Sequence, residues 1–174
     1  FNRMNGLVSL KYVTNKLSIP LSFANLEIEI PNFDLYLNDI NVIYGVIFDL
    51  PLAFLEVFFN IQDSRDIYLL RHLFTFLIFF ISTIFFYKIL KFIFKKNFLS
   101  IIGVFILIIS PRIFAHSFFN SKDIVFLSLI VFAIYFNLKC LNEREFKYIF
   151  LASFFSALAT SLRVLGCYIP LLTI

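Results

Sequence analysis

Charge is what this sequence has least of for its length. Only 15% of its 174 residues are Asp, Glu, Lys or Arg, while 61% are hydrophobic and the mean hydropathy is +0.93. A soluble domain of this size needs polar side chains over its surface, so the shortage excludes one and calls for an integral membrane protein. Cysteine is nearly as scarce. Cys140 and Cys167 stand alone with no CxxC spacing, so they offer no disulfide framework or thiolate metal site and read as small apolar packing residues. Tryptophan is absent, and no signal peptide or lipidation motif is visible. The chain opens FNRMNG without a methionine and stops inside the apolar run CYIPLLTI, so a fragment of a longer polytopic protein is expected.

Acids are missing from one part of the chain in particular. Residues 67–174 hold three acids against eleven bases, whereas residues 1–66 hold eight acids against four bases. The bases are spread over loops between hydrophobic runs, a pattern that does not make a nucleic-acid patch. Four of them, Lys88, Lys91, Lys95 and Lys96, mark the end of the clearest hydrophobic run, 68–92, after its uncharged stretch Leu73–Tyr87, and predict a cytoplasmic loop there.

What remains is an all-α membrane protein, a polytopic helical bundle with about four transmembrane helices and an extracytoplasmic loop ahead of them. Residues 1–67 read as that loop and 68–174 as the bundle. In the loop, Leu7, Leu10, Val13 and Leu17 fall on one side of a helix, and Leu26–Ile30 alternates as a short strand or an extended segment. The run 44–61 is short for a span and carries Asp49 and Glu56, so it predicts a helix at the interface or packed on the bundle. Spans are expected over 68–92, 98–109, 123–139 and 146–162. The second is too short to cross unless it continues through Pro111 and Arg112.

The stretch SPRIFAHSFFNSKD, Ser110–Asp123, sets Arg112, His116, Asn120, Lys122 and Asp123 between two hydrophobic runs. Ionisable groups persist beside hydrocarbon when they face a cavity, a partner or the interface. Were the segment one helix, residues 112, 116, 120 and 123 would share a face. A polar turn between two membrane helices is the plainer account. The topology gathers Arg71, His72, Arg112–Asp123 and Arg163 on the extracytoplasmic side, where Arg71 and His72 are either site residues or interfacial anchors. Several cations beside carboxylates suit a phosphate-bearing lipid, and glycosyl transfer from such a lipid needs both. A lipid flippase or transporter has a similar composition.

The ordered set YGxxFD at Tyr44–Asp49, RH at Arg71–His72, SPRxFAHSFFNSKD at Ser110–Asp123 and ATSLRVLG at Ala159–Gly166 resembles GT-C membrane glycosyltransferases. The similarity is to the protein O-mannosyltransferase and RgtA/B/C/D-like group, and it covers essentially the whole chain. It implies a polytopic transferase that takes a sugar from a polyprenyl-phosphate donor to a lipid, glycan or protein acceptor outside the cytoplasmic membrane. Arg71 matches an arginine that helps hold the donor phosphate in that group. His72, Arg112, His116, Asn120, Lys122, Asp123 and Arg163 are the further substrate-binding candidates. The group's catalytic acid would fall ahead of Phe1, so Asp34, Asp39 and Asp49 read as solvated loop carboxylates. No cofactor is indicated, and a divalent cation is compatible with the chemistry.

Overall fold

The structure, a computed structural model, describes residues 2–17 and 46–171. The alternating stretch Leu26–Ile30, the carboxylates Asp34 and Asp39, and Tyr44 lie outside the described residues. The described residues are helical with no strand among them, and the chain divides into two compact units, Phe1–Arg71 and His72–Ile174.

In the first unit, α1 (Asn2–Leu17) packs on α2 (Asp49–Phe58). The leucine periodicity holds at the start of α1, where Leu7 and Leu10 are buried, and fails at its end, where Leu17 is 64% exposed. The two helices meet at Gly6. A Cβ there would lie 2.4 Å from the Asp49 carbonyl oxygen, so only glycine permits the approach. Helix α2 has ten residues, about 15 Å, half of a bilayer core, so it is a packed helix and not a span. It buries Leu52, Ala53 and Glu56. Helix α3 (Ser64–Phe94) begins in this unit, where Asp63 Oδ1 accepts the Arg65 N–H at 2.9 Å in the manner of an N-cap.

Helix α3 continues into the second unit as a candidate span of 31 residues. Ser82 and Thr83 are buried in it, and their hydroxyls donate back to the carbonyls of Phe79 and Phe80 at 2.7 Å, which satisfies them without water. Helix α4 (Asn97–Ile109) returns from the lysine cluster and stops at Ser110. The residue before a proline is pushed out of helical geometry, and Ser110 accordingly has ψ 113°. Pro111 then opens α5 (Pro111–Phe119) at its first turn, where its missing N–H costs nothing. The axes of α4 and α5 differ by 67°.

Helix α6 (Asp123–Glu143) is the second candidate span, and α7 (Phe146–Leu162) runs back along it. Ala152, Ser156 and Ala159 form a buried stripe of small residues on α7 that lets the two backbones come close. Phe155 of α7 stacks on Phe136 and tilts against Phe132 of α6. The expected four spans thus appear as two long helices, one bent pair and one apolar helix of 17 residues. A short 3-10 turn, Val164–Cys167, and α8 (Tyr168–Leu171) close the described chain.

Candidate functional site

Of the two alternatives for Ser110–Asp123, a single helix or a polar turn, the structure shows a short helix followed by a turn at Asn120. One helix from Arg112 to Asp123 would stack the polar residues on a single face, but α5 ends at Phe119 and α6 begins at Asp123. Asn120 itself makes the break. Its Oδ1 accepts the backbone N–H of Asp123 at 3.0 Å and of Lys122 at 3.3 Å, so its amide serves as the cap of α6. Asp123 starts the helix, but its side chain is turned elsewhere.

The same amide ties three side chains together. Asn120 Nδ2 donates to Asp123 Oδ2 at 2.9 Å and lies 2.7 Å from His116 Nδ1. Because Oδ1 is committed to two backbone N–H groups, the amide cannot be turned over without facing donor to donor. His116 Nδ1 is therefore the acceptor, and the hydrogen of the neutral ring sits on Nε2. The other carboxylate oxygen of Asp123, Oδ1, is ion-paired to Nη2 of Arg163, which follows the last residue of α7. Gly166 makes that position attainable. A Cβ at Gly166 would stand 2.4 Å from the Thr160 nitrogen and 2.5 Å from the Ala159 carbonyl carbon, so the turn folds directly onto the end of α7. Gly166 N–H donates to the Arg163 carbonyl at 2.8 Å.

His116, Asn120, Asp123 and Arg163 thus form one network, with Lys122 joined through its backbone. Arg112 is not part of it. It is exposed on the first turn of α5 and makes no hydrogen bond or ion pair among the described residues. The network occupies the end of the α6–α7 pair where α6 starts and α7 stops. Both basic loops lie at the other end, since Lys88 and Lys139 line one cleft there.

In the first unit, Arg71 does not stand alone. Its Nη1 donates to Asp49 Oδ1 at 3.0 Å, and Asp49 is 3% exposed. The expectation of a solvated loop carboxylate at Asp49 is therefore corrected: helix packing buries it, and Arg71 compensates its charge. Glu56 is buried likewise and is paired with Arg3, whose Nε donates to Oε1 at 2.6 Å. Sequence reasoning missed Asp49 and Glu56 as structured groups. The signal was the presence of two carboxylates in an otherwise apolar run of 18 residues. His72 is half-buried. Among the described residues no three of His, Cys, Asp and Glu converge as metal ligands.

Opposite charges are thus gathered at one end of the α6–α7 pair. The family model for dolichyl-phosphate-mannose-protein mannosyltransferases matches residues 50–174, which include the whole second unit, and the chain belongs to that family. No curated protein and no solved structure matches the chain.

Proposed function

We propose that this chain contributes the donor-handling part of a hexosyltransferase. The enzyme moves a sugar from a polyprenyl-phosphate carrier to a hydroxyl of a lipid, glycan or protein on the extracytoplasmic side of the cytoplasmic membrane. The observation that carries the reading is the Asp123–Arg163 pair, braced by Asn120 and His116, inside the matched region.

In the reaction the acceptor oxygen attacks the anomeric carbon while the bond from that carbon to the phosphate oxygen breaks. The electron pair leaves with the phosphate, and the acceptor proton passes to a base. Arg163 and Lys122 in the second unit supply the cations that stabilise the departing phosphate, while Arg71 of the first unit is a donor-phosphate candidate on the family resemblance alone. A guanidinium has five N–H donors in a fork, so an arginine held by one carboxylate can still engage phosphate oxygens. Asp123 orients the Arg163 guanidinium. His116 offers Nε2–H to the sugar or the phosphate, and His72 and Arg112 are the outer members of the binding surface. The base is the carboxylate that the family resemblance puts ahead of Phe1. The positive-inside rule supports the orientation, because both basic loops lie at the end away from the network.

Membranes containing the protein, given polyprenyl-phosphate [14C]mannose, test the proposal. Cleavage of the donor is expected, and it should fall at least tenfold in Arg163→Gln at equal protein level. Movement of the intact donor across the bilayer without cleavage would instead make the protein a flippase.

A further inference from the structure

The C-terminal halves of α3 and α6 enclose a cleft of about 190 Å3 far from the candidate site. Asp123 begins α6 and Lys139 lies sixteen residues on, about 24 Å along the helix. Ile89, Phe92 and Leu138 give the cleft apolar walls, and Lys88, Lys91 and Lys139 bring three cations to it.

The charges are not equally compensated. Lys139 is ion-paired to Glu143 on the next turn. Lys88 lies over the rings of Phe85 and Tyr135, 5.1 and 5.6 Å from their centroids, and neither it nor Lys91 pairs with a carboxylate among the described residues. The helix ends and turns here, residues 88–96 and 139–147, hold seven bases against two acids. The cleft lies near the ends of the two candidate spans, Ser64–Phe94 and Asp123–Glu143, where lysines mark the expected approach to the headgroups. A phosphate suits the lysines, and acyl chains suit the walls. A free phosphate ion would have no use for the walls, and a choline headgroup would bring a cation to a cationic cleft.

We propose that this cleft binds the phosphate of an anionic phospholipid from the leaflet that meets this end of the bundle, between Lys88 and Lys91, with its acyl chains along Ile89, Phe92 and Leu138. Basic pockets between membrane helices hold such headgroups through uncompensated lysines. The site is independent of the sugar chemistry.

Native mass spectrometry of the purified full chain in mixed phosphatidylglycerol and phosphatidylcholine reads the site directly. Phosphatidylglycerol should be retained in preference, by about tenfold. Lys88→Gln/Lys91→Gln should lose that preference, and Lys88→Arg/Lys91→Arg, which keeps the charge, should retain it. Lys95→Gln/Lys96→Gln makes the same charge change outside the cleft and should alter retention by less than about twofold. Equal retention of both lipids, or equal loss in both glutamine pairs, overturns the proposal. Displacement of the lipid by millimolar inorganic phosphate overturns it as well, because the cleft would then be a phosphate-ion site.

Discussion

Asp123, the first residue of α6, is ion-paired to Arg163, forty residues away and just past the end of α7. The contact joins the two open ends of a helix hairpin. Its side chains are 45% and 34% exposed, so solvent screening keeps its share of stability small, about 0.2–1 kcal/mol. A pair that adds so little stability leaves the role proposed above in donor binding to be tested. In Asp123→Asn, folding should be near normal and turnover should fall at least tenfold, about 1.4 kcal/mol. Thermal melts and donor cleavage measured on the same preparation check both halves. Normal turnover in Asp123→Asn and in His116→Ala would reduce the network to a connector.

Asn120 carries two tasks at once, and they separate by substitution. Asn120→Ser keeps a capping oxygen for α6 but loses the amide hydrogens given to His116 and Asp123. Stability should drop by only a few tenths of a kcal/mol, in line with exchange among good caps, while turnover falls. In Asn120→Ala both should suffer, with about 1 kcal/mol of stability lost. Equal turnover for wild type and Asn120→Ser would show that the amide bridge does not serve the reaction.

The Asp49–Arg71 pair behaves differently because it is buried. Removing one partner strands the other charge, at a cost of about 3–5 kcal/mol, so Asp49→Asn and Arg71→Ala should each lower the melting temperature sharply. The double variant Asp49→Leu/Arg71→Met should regain most of the stability, since an apolar pair can replace a buried ionic one. If Arg71 also holds the donor phosphate, the double variant folds and yet cleaves donor poorly. Recovery of both stability and cleavage would remove Arg71 from the site. Lys95→Ala, outside both units' charged pairs, serves as the control.

Gly166→Ala tests whether the turn positions Arg163. The new methyl would meet the backbone of Ala159 and Thr160, which cannot move as a side chain can. Overpacking of this kind costs about 1–3 kcal/mol. Donor cleavage per folded molecule should fall with it, as Arg163 leaves Asp123. Gly103→Ala meets only the end of the Leu90 side chain and should be mild by comparison.

Orientation can be read by labelling with an impermeant thiol reagent, on a background lacking Cys140 and Cys167. Asn97→Cys, exposed at the start of α4 beside the lysine cluster, should be shielded in intact cells. Ala115→Cys, exposed on α5, should react. Ser121 is a poorer reporter because the turn buries it. The reverse labelling pattern would place the network on the cytoplasmic side.

The sequence by itself determined the class of molecule. A 61% hydrophobic composition and long uncharged runs allow only a membrane helix bundle. The lysines after Tyr87 and beyond Leu138 marked one end of it, and Ser110–Pro111 marked the break between α4 and α5, because proline acts on its immediate neighbour. The candidate residues of Ser110–Asp123 were legible for the same reason, as polar groups where hydrocarbon tolerates few. Tertiary structure alone decided which of them meet. Arg112 and His116 share a short helix, yet only His116 enters the network, since the Asn120 amide breaks the helix and reaches back to it. The partners of the arginines could not be read from spacing. Asp49 lies 22 residues before Arg71, and Arg163 lies 40 after Asp123. An ion pair forms where helix packing brings two side chains within a few ångströms, and that packing is set by small residues such as Gly6, Ala159 and Gly166, whose lack of bulk becomes informative only when the neighbouring backbone is in place.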